Sequence, residues 1–321
     1  MNVYVVGAGA VGTYLGEALR ATGAAVTYAP RNLDDVQPVP VDIAIVAVKS
    51  YDTEGAIQTL QRAFGPDSGA AILTAQNGVG NEERLAAAFG ADRIVACALT
   101  VPVARTPSGA VATSKRGGMA LAPVGTLAHN WLVAAFDATA IPVKVTSDYR
   151  SLKWSKLALN VVANASCAIL NVMPQRLVRL EHAFALEIRA IRETRAVMAA
   201  LDVSTVDLPR YPVRVLQGVV KLPMPVAKLV LAARVAGARG RKPPSLLLDL
   251  QAGRGRTEGD VLNGAVAAEG RRLGVPTPVN SAYARVLSDI AHMPQLWAKY
   301  RERPAALVAE VEAEEARLPA G

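Results

Sequence analysis

Cysteine, histidine and aromatic residues are all scarce in this 321-residue chain, and each scarcity removes a class of architecture. The two cysteines, Cys97 and Cys167, stand in apolar surroundings without C-x-x-C spacing. They read as core thiols of a reducing compartment, and neither a disulfide framework nor a metal site is expected. His129, His182 and His292 are scattered, which argues against zinc. Aromatics make up only 5% of a chain that is 51% hydrophobic, so the core must be built largely from Ala, Val and Leu. That composition suits helices packed on a parallel sheet. No run of about 18 consecutive apolar residues occurs, so no membrane span is expected. Met1–Val6 lacks a basic n-region, so no signal peptide is expected and the expected location is cytoplasmic.

Acid is also missing from one long stretch. Between Leu208 and Leu248 there is no Asp or Glu, while Arg210, Arg214, Lys221, Lys228, Arg234, Arg239, Arg241 and Lys242 together equal the net charge of +8. Such a segment can serve phosphates, acidic lipid or nucleic acid. The plainer reading, a basic face on a helical insertion, is preferred. The absence of interleaved aromatics argues against nucleic acid.

What is present is an alternation. Val3–Val6, Ala25–Tyr28, Ile43–Val48, Ala70–Ala75 and Arg93–Leu99 read as buried strands, and Val11–Thr22, Thr53–Phe64 and Asn81–Phe89 have helical spacing. The pattern predicts an α/β fold whose N-terminal part is a Rossmann-type doubly wound sheet. Shorter strands with Gly and Pro turns are expected from Pro102 to about Val145. Beyond residue 150 only long helical patterns follow, Ser151–Leu170, Leu177–Leu201 and Glu258–Leu273, which predicts an all-α C-terminal domain. The expected domains are therefore 1–149 and 150–321.

Gly7-Ala8-Gly9-Ala10-Val11-Gly12 follows the first strand and opens a helix. In that context G-x-G-x-x-G marks a dinucleotide site: a tight turn, a close backbone approach to the pyrophosphate, and a helix start to receive its charge. Cofactor choice is read at the end of the second strand. An NAD-binding chain usually carries an acid there; this one has Pro30-Arg31, which suits the 2′-phosphate of NADP, although Asp34 and Asp35 are nearby.

Lys156, Asn160 and Asn164 recur at intervals of four in an apolar stretch. On a continuous helix they would form one polar stripe, either a ligand-lining face or an ordinary solvated one. A half-desolvated lysine there could serve as general acid in a ketone reduction. Further on, Thr257 reads as an N-cap with Asp260 facing back to it, and Glu258 falls in the first helical turn. That position favours a carboxylate electrostatically, so its presence there is explained equally well by helix stability or by chemistry. Ser245, after Pro243-Pro244, reads as another helix cap that could also meet a ligand.

Taken together, these features resemble the ketopantoate reductase (2-dehydropantoate 2-reductase) family. The resemblance runs through Gly7–Gly12, Val48-Lys49, Gln76-Asn77-Gly78-Val79-Gly80, Lys153-Trp154-Ser155-Lys156-Leu157, Asn160, Asn164, Pro244-Ser245, Asp249, Gly253-Arg254, Arg256-Thr257-Glu258 and Leu262-Asn263-Gly264. It implies an NADP-dependent oxidoreductase that reduces 2-dehydropantoate to pantoate with NADPH in pantothenate biosynthesis. By the same resemblance Lys156 is the catalytic proton donor, and Glu258 acts beside it and near the cofactor. Asn77 touches cofactor and substrate, Lys49 lies near the cofactor, and Asn160, Asn164 and Ser245 are substrate contacts. The implied partner is a small 2-oxo acid, with a homodimer as a further partner reading. Two alternatives are carried alongside: reduction of another small 2-oxo acid, and a non-catalytic NADP(H)-binding sensor. The segment from Arg31 to Val41 is shorter than is usual in the family, and the basic segment looks longer.

Overall fold

The computed structural model describes residues 1–65, 68–106, 109–113, 117–126, 130–238 and 243–318. His129, Arg239, Arg241 and Lys242 lie outside the described residues. By contact the chain falls into two compact units, Met1–Lys156 with Val206–Pro212, and Leu157–Thr205 with Val213–Gly321.

In the first unit β1 (Asn2–Val6), α1 (Ala10–Arg20), β2 (Ala25–Tyr28), β3 (Ile43–Val46), α2 (Thr53–Ala63), β4 (Ala71–Thr74), α3 (Asn81–Phe89) and β5 (Ile94–Leu99) follow one another. A ribbon of β6 (Val103–Arg105) and β7 (Val111–Thr113) comes next, then β8 (Met119–Pro123), α4 (Asn130–Asp137) and β9 (Val143–Val145). The main sheet has the order β2-β1-β3-β4-β5-β8-β9. Its first five strands are parallel; β8 runs antiparallel to β5 and parallel to β9. Strands β1, β3, β4 and β5 are nearly continuous apolar runs because helices cover both of their faces. Leu15 and Leu19 of α1 and Phe136 of α4 pack with Val5, Ile45 and Leu73 on one side. Ile57 and Leu60 of α2 and Leu85 of α3 pack with Tyr4, Val46 and Ile72 on the other. This is the Rossmann-type layer that the strand and helix spacing predicts. Between Pro102 and Val145 the expected short strands are present, but β6 and β7 form a separate ribbon, and α4 was not foreseen.

The return segment Val206–Pro212 has no counterpart in the sequence reading. It is tied to the first unit by polar contacts. Val206 N donates to Ser155 Oγ (2.8 Å), Lys144 Nζ to Asp207 O (2.7 Å) and Thr100 Oγ1 to Pro209 O (2.9 Å).

A single helix, α5 (Tyr149–Val161), contains the division between the units. The second unit continues with α6 (Ala165–Leu170), α7 (Pro174–Leu177), α8 (Glu181–Ala200), α9 (Val213–Val219), α10 (Met224–Ala238), α11 (Ser245–Gln251), α12 (Asn263–Leu273), α13 (Pro278–His292) and α14 (Pro304–Glu315). Among the described residues it contains no strand. A buried polar cluster organises its core. Glu193 of α8 accepts from Val279 N (3.0 Å) and Asn280 N (2.9 Å), satisfying amides of the first turn of α13. Asn280 in turn donates to Ala190 O and accepts from Asn263 Nδ2 (2.9 Å). Among the described residues no helix is long and apolar enough to cross a membrane.

Three expected helices are interrupted. The stretch 151–170 breaks between α5 and α6, where Ala163 takes a left-handed φ of 48°. Its amide donates to the buried carboxylate of Glu187, which holds the irregular turn in place of a helical bond. The stretch 177–201 resolves into the end of α7 and the long α8. The stretch from Glu258 starts as a short 3₁₀ turn, Glu258–Val261, before α12 begins.

Candidate active site

The glycine turn joins β1 to α1. Gly7 has φ +104°, and a Cβ there would sit 2.6 Å from Val48 N, so side chains are excluded both by backbone conformation and by the neighbouring end of β3. At Gly12 a Cβ would lie 2.1 Å from Gly7 O, the close helix–strand approach that the motif requires. Ala8 and Gly9 are exposed. No side chain caps the start of α1, and its first turn carries no acid, which leaves the positive end of the helix available to an anion. These features fit the diphosphate of a dinucleotide.

The remaining candidates of this unit follow the same edge of the sheet. Arg31 lies just after β2, Lys49 after β3 and Asn77 after β4, beyond the C-terminal ends of strands in the parallel part of the sheet. In open α/β sheets that is where ligands bind, at the point where strand order reverses, here between β1 and β3. Arg31 is exposed. Of the two nearby acids, Asp34 is engaged by Arg62 (3.1 Å), which also donates to Leu33 O (2.9 Å).

Sequence reading missed the polar scaffold beneath these residues. Ser50 Oγ donates to Asn77 O (2.9 Å), and Asn81 Nδ2 donates both to the same carbonyl and to Ser50 Oγ (each 3.1 Å). Gln76 Nε2 donates to Thr53 Oγ1 (2.8 Å). Lys153, only 2% exposed, pairs with the equally buried Glu82 at 2.8 Å and donates to Gln76 O at 2.6 Å. Thr74 Oγ1 completes the set with a 2.8 Å bond to Glu82. The starts of α2 and α3 thereby fix the segments carrying Lys49 and Asn77, and α5 is joined to them. Each of these bonds spans at least eight residues except the Asn81–Asn77 contact, so no local pattern announced the set. Arg105 of β6 was also missed. Its guanidinium donates to Ala8 O in the glycine turn and lies 3.2 Å from Thr13 Oγ1.

Lys156 is half-buried on α5, one turn beyond Lys153, and Asn160 is half-buried a turn further. Cys97 of β5 is buried, and burial pushes its thiol up to about 12 against the opposing effect of the Lys153 and Lys156 ammoniums. That thiol is therefore an inert core group.

The polar stripe does not continue to Asn164. Because α5 ends at Val161, Asn164 stands at the start of α6, 2% exposed, and turns to a different partner. Its Oδ1 accepts from Leu246 N (3.1 Å) and its Nδ2 lies 3.3 Å from Ser245 Oγ. Asn164 thus supplies from a distance the cap that Ser245 was expected to provide: Ser245 is the exposed first residue of α11, and Pro244 holds the cap position. Thr257 does cap, accepting from Gly259 N (3.1 Å), while Asp260 is exposed. Glu258 opens the 3₁₀ turn and is 4% exposed. The first unit accordingly gathers Gly7–Gly12, Arg31, Lys49, Asn77 and Lys156, and the second joins Asn164 to Ser245 and carries Asn160 and Glu258.

Residues 28–125 match the family model "Ketopantoate reductase PanE/ApbA", and residues 148–291 match "Ketopantoate reductase PanE/ApbA C terminal". The chain belongs to the ketopantoate reductase family. It is an oxidoreductase of that family by descent. A 2-dehydropantoate 2-reductase of Halobacterium salinarum is 30% identical over 79% of this chain and 76% of its own length. The crystal structure of a PanE/ApbA family ketopantoate reductase from Ralstonia eutropha JMP134 superposes with a TM-score of 0.74 at 27% identity, covering 92% of this chain and 100% of that one. A D-mandelate dehydrogenase in complex with NADH shares the fold, with a TM-score of 0.73 at 20% identity over 91% of this chain and 99% of its own.

Proposed function

We propose that this chain reduces 2-dehydropantoate to pantoate with NADPH, as the oxidoreductase of that step in cytoplasmic pantothenate synthesis. The observation that carries the reading is that one unit holds the glycine turn together with Lys49, Asn77 and Lys156, the segments of the last three being tied by a buried polar scaffold. A bound dinucleotide would supply the hydride for the keto carbon, and the alkoxide so formed would take a proton from a residue of this chain. Lys156, half-buried on α5, is the donor in this reading. Gly7, Ala8, Gly9, Ala10, Val11 and Gly12 hold the diphosphate, and Arg31 selects the 2′-phosphate. Lys49, Asn77 and Glu258 complete the cofactor contacts, with Asn77 also meeting the substrate. Asn160, Asn164 and Ser245 orient the 2-oxo acid, and Glu258 supports the proton transfer.

The test is NADPH oxidation measured against a panel of 2-oxo acids differing at the branched carbon. The reading expects 2-dehydropantoate to give the highest kcat/KM. A different 2-oxo acid preferred by tenfold or more would reassign the substrate. NADPH binding without turnover on any of them would favour the sensor.

A further inference from the structure

The buried pair Lys153–Glu82 has no part in the chemistry just described, yet it is placed where α5 meets the Gln76–Asn77 segment. Burying two charges is costly unless their geometry is good and their remaining hydrogen-bonding capacity is used. Here it is used. Lys153 Nζ reaches Glu82 Oε1 at 2.8 Å and Gln76 O at 2.6 Å, and the same carboxylate oxygen accepts from Thr74 Oγ1 at 2.8 Å. An apolar pair of similar volume would often serve stability as well. What such a pair could not do is hold a backbone carbonyl. The carbonyl held is that of the residue preceding Asn77, and the lysine holding it stands one helical turn before Lys156. The carbonyl of Asn77 itself is held from the other side by Ser50 and Asn81.

We propose that Lys153, balanced by Glu82, is a positioning residue for the reduction: it latches the Gln76–Asn77 backbone to the helix that carries Lys156, and so sets the spacing of substrate contact and proton donor. The inference rests on the roles given to Asn77 and Lys156 under the proposed function. Glu82 presents the opposite charge to the buried lysine, and Thr74 keeps the carboxylate oriented. The dinucleotide turn after β1 is held by its own strand and helix contacts, so loosening the latch acts on turnover more than on cofactor binding.

The experiment compares wild type with two variants in steady-state 2-dehydropantoate reduction, NADPH fluorescence titration and thermal melting. The double variant Lys153→Met with Glu82→Gln removes both charges together, which avoids stranding either one. Lys153→Arg keeps the charge but replaces a compact ammonium with a planar guanidinium, and it covers the case in which the double variant does not fold. Misplacement of reacting groups by about 1 Å can cost on the order of 10²-fold in rate. The latch therefore predicts a kcat per folded enzyme lowered about tenfold or more in either variant, with NADPH Kd within about threefold of wild type. A folded variant that melts lower but retains its kcat would mean the pair is only structural and would overturn the inference. So would a loss of kcat fully matched by loss of NADPH binding. A wild type that turns over no 2-oxo acid would contradict the proposed function and the latch with it. An active wild type with unimpaired variants would contradict the latch alone.

Discussion

In the proposed function, Arg31 is the residue that selects the 2′-phosphate. It is exposed at the end of β2, in the place where an NAD-binding chain would carry an acid. Asp34, one of the two nearby acids, is paired with Arg62. Arg31→Ala is expected to remove a charge-assisted contact to the 2′-phosphate. Such contacts contribute about 1.5–3 kcal/mol, roughly tenfold to a hundredfold in Kd. Titration of NADPH and NADH against both proteins checks this: the preference for NADPH should collapse because NADPH binding weakens while NADH binding hardly changes. Equal affinities in the wild type would contradict it. The glycine turn was readable in the sequence because its geometry is local to the backbone. Lys153 and Glu82 were not, since an isolated Lys or Glu carries no mark of burial until the partner from another element is known.

At the scale of elements, β1 to β5 and α1 to α3 could be read because strands with both faces covered and amphipathic helices leave different periods. The break between α5 and α6 left none. Asn160 and Asn164 keep helical spacing straight across it, and the turn is held by Glu187 from α8 and by the left-handed Ala163. The polar stripe was accordingly projected one step too far, to Asn164. The helices α13 and α14 escaped notice although each opens with Pro at its first position, a start signal that would have located both. These two helices are fastened by charge. Arg285 of α13 meets Glu310 (2.8 Å) and Glu314 (2.9 Å) of α14, and Lys299 and Tyr300 also donate to Glu310 (2.6 and 2.8 Å). Burial pushes the Glu310 carboxyl up, but hydrogen bonds from Lys299, Arg285 and Tyr300 outweigh it and bring it down to about 2. A depressed carboxyl contributes stability above its unfolded pKa of about 4.3 and loses it as pH falls toward the folded value. Glu310→Gln should therefore lower Tm by several degrees at pH 7, with the difference from wild type shrinking steadily between about pH 5 and pH 2. A difference independent of pH over that range would show that the network contributes through packing instead of charge.

The whole molecule comprises a unit whose parallel sheet carries the glycine turn after its first strand and a helical unit rich in buried polar groups. The basic segment from Leu208 to Leu248 serves the fold in part: Lys228 pairs with Glu181 at 3.2 Å, Arg214 donates to Thr205 O at 3.1 Å, and Val213, Leu216, Ala227 and Leu231 are buried. Its plainer reading as a helical insertion thus has a structural basis in α9 and α10. The central claim is that this molecule is a reductase whose proton donor is Lys156. It is tested most directly by steady-state reduction of 2-dehydropantoate by wild type and Lys156→Ala, each paired with NADPH titration. The account predicts a kcat lower by a factor on the order of 10² to 10⁴, the usual share of a general acid, with NADPH affinity nearly unchanged. An active wild type whose Lys156→Ala variant keeps full turnover would contradict it.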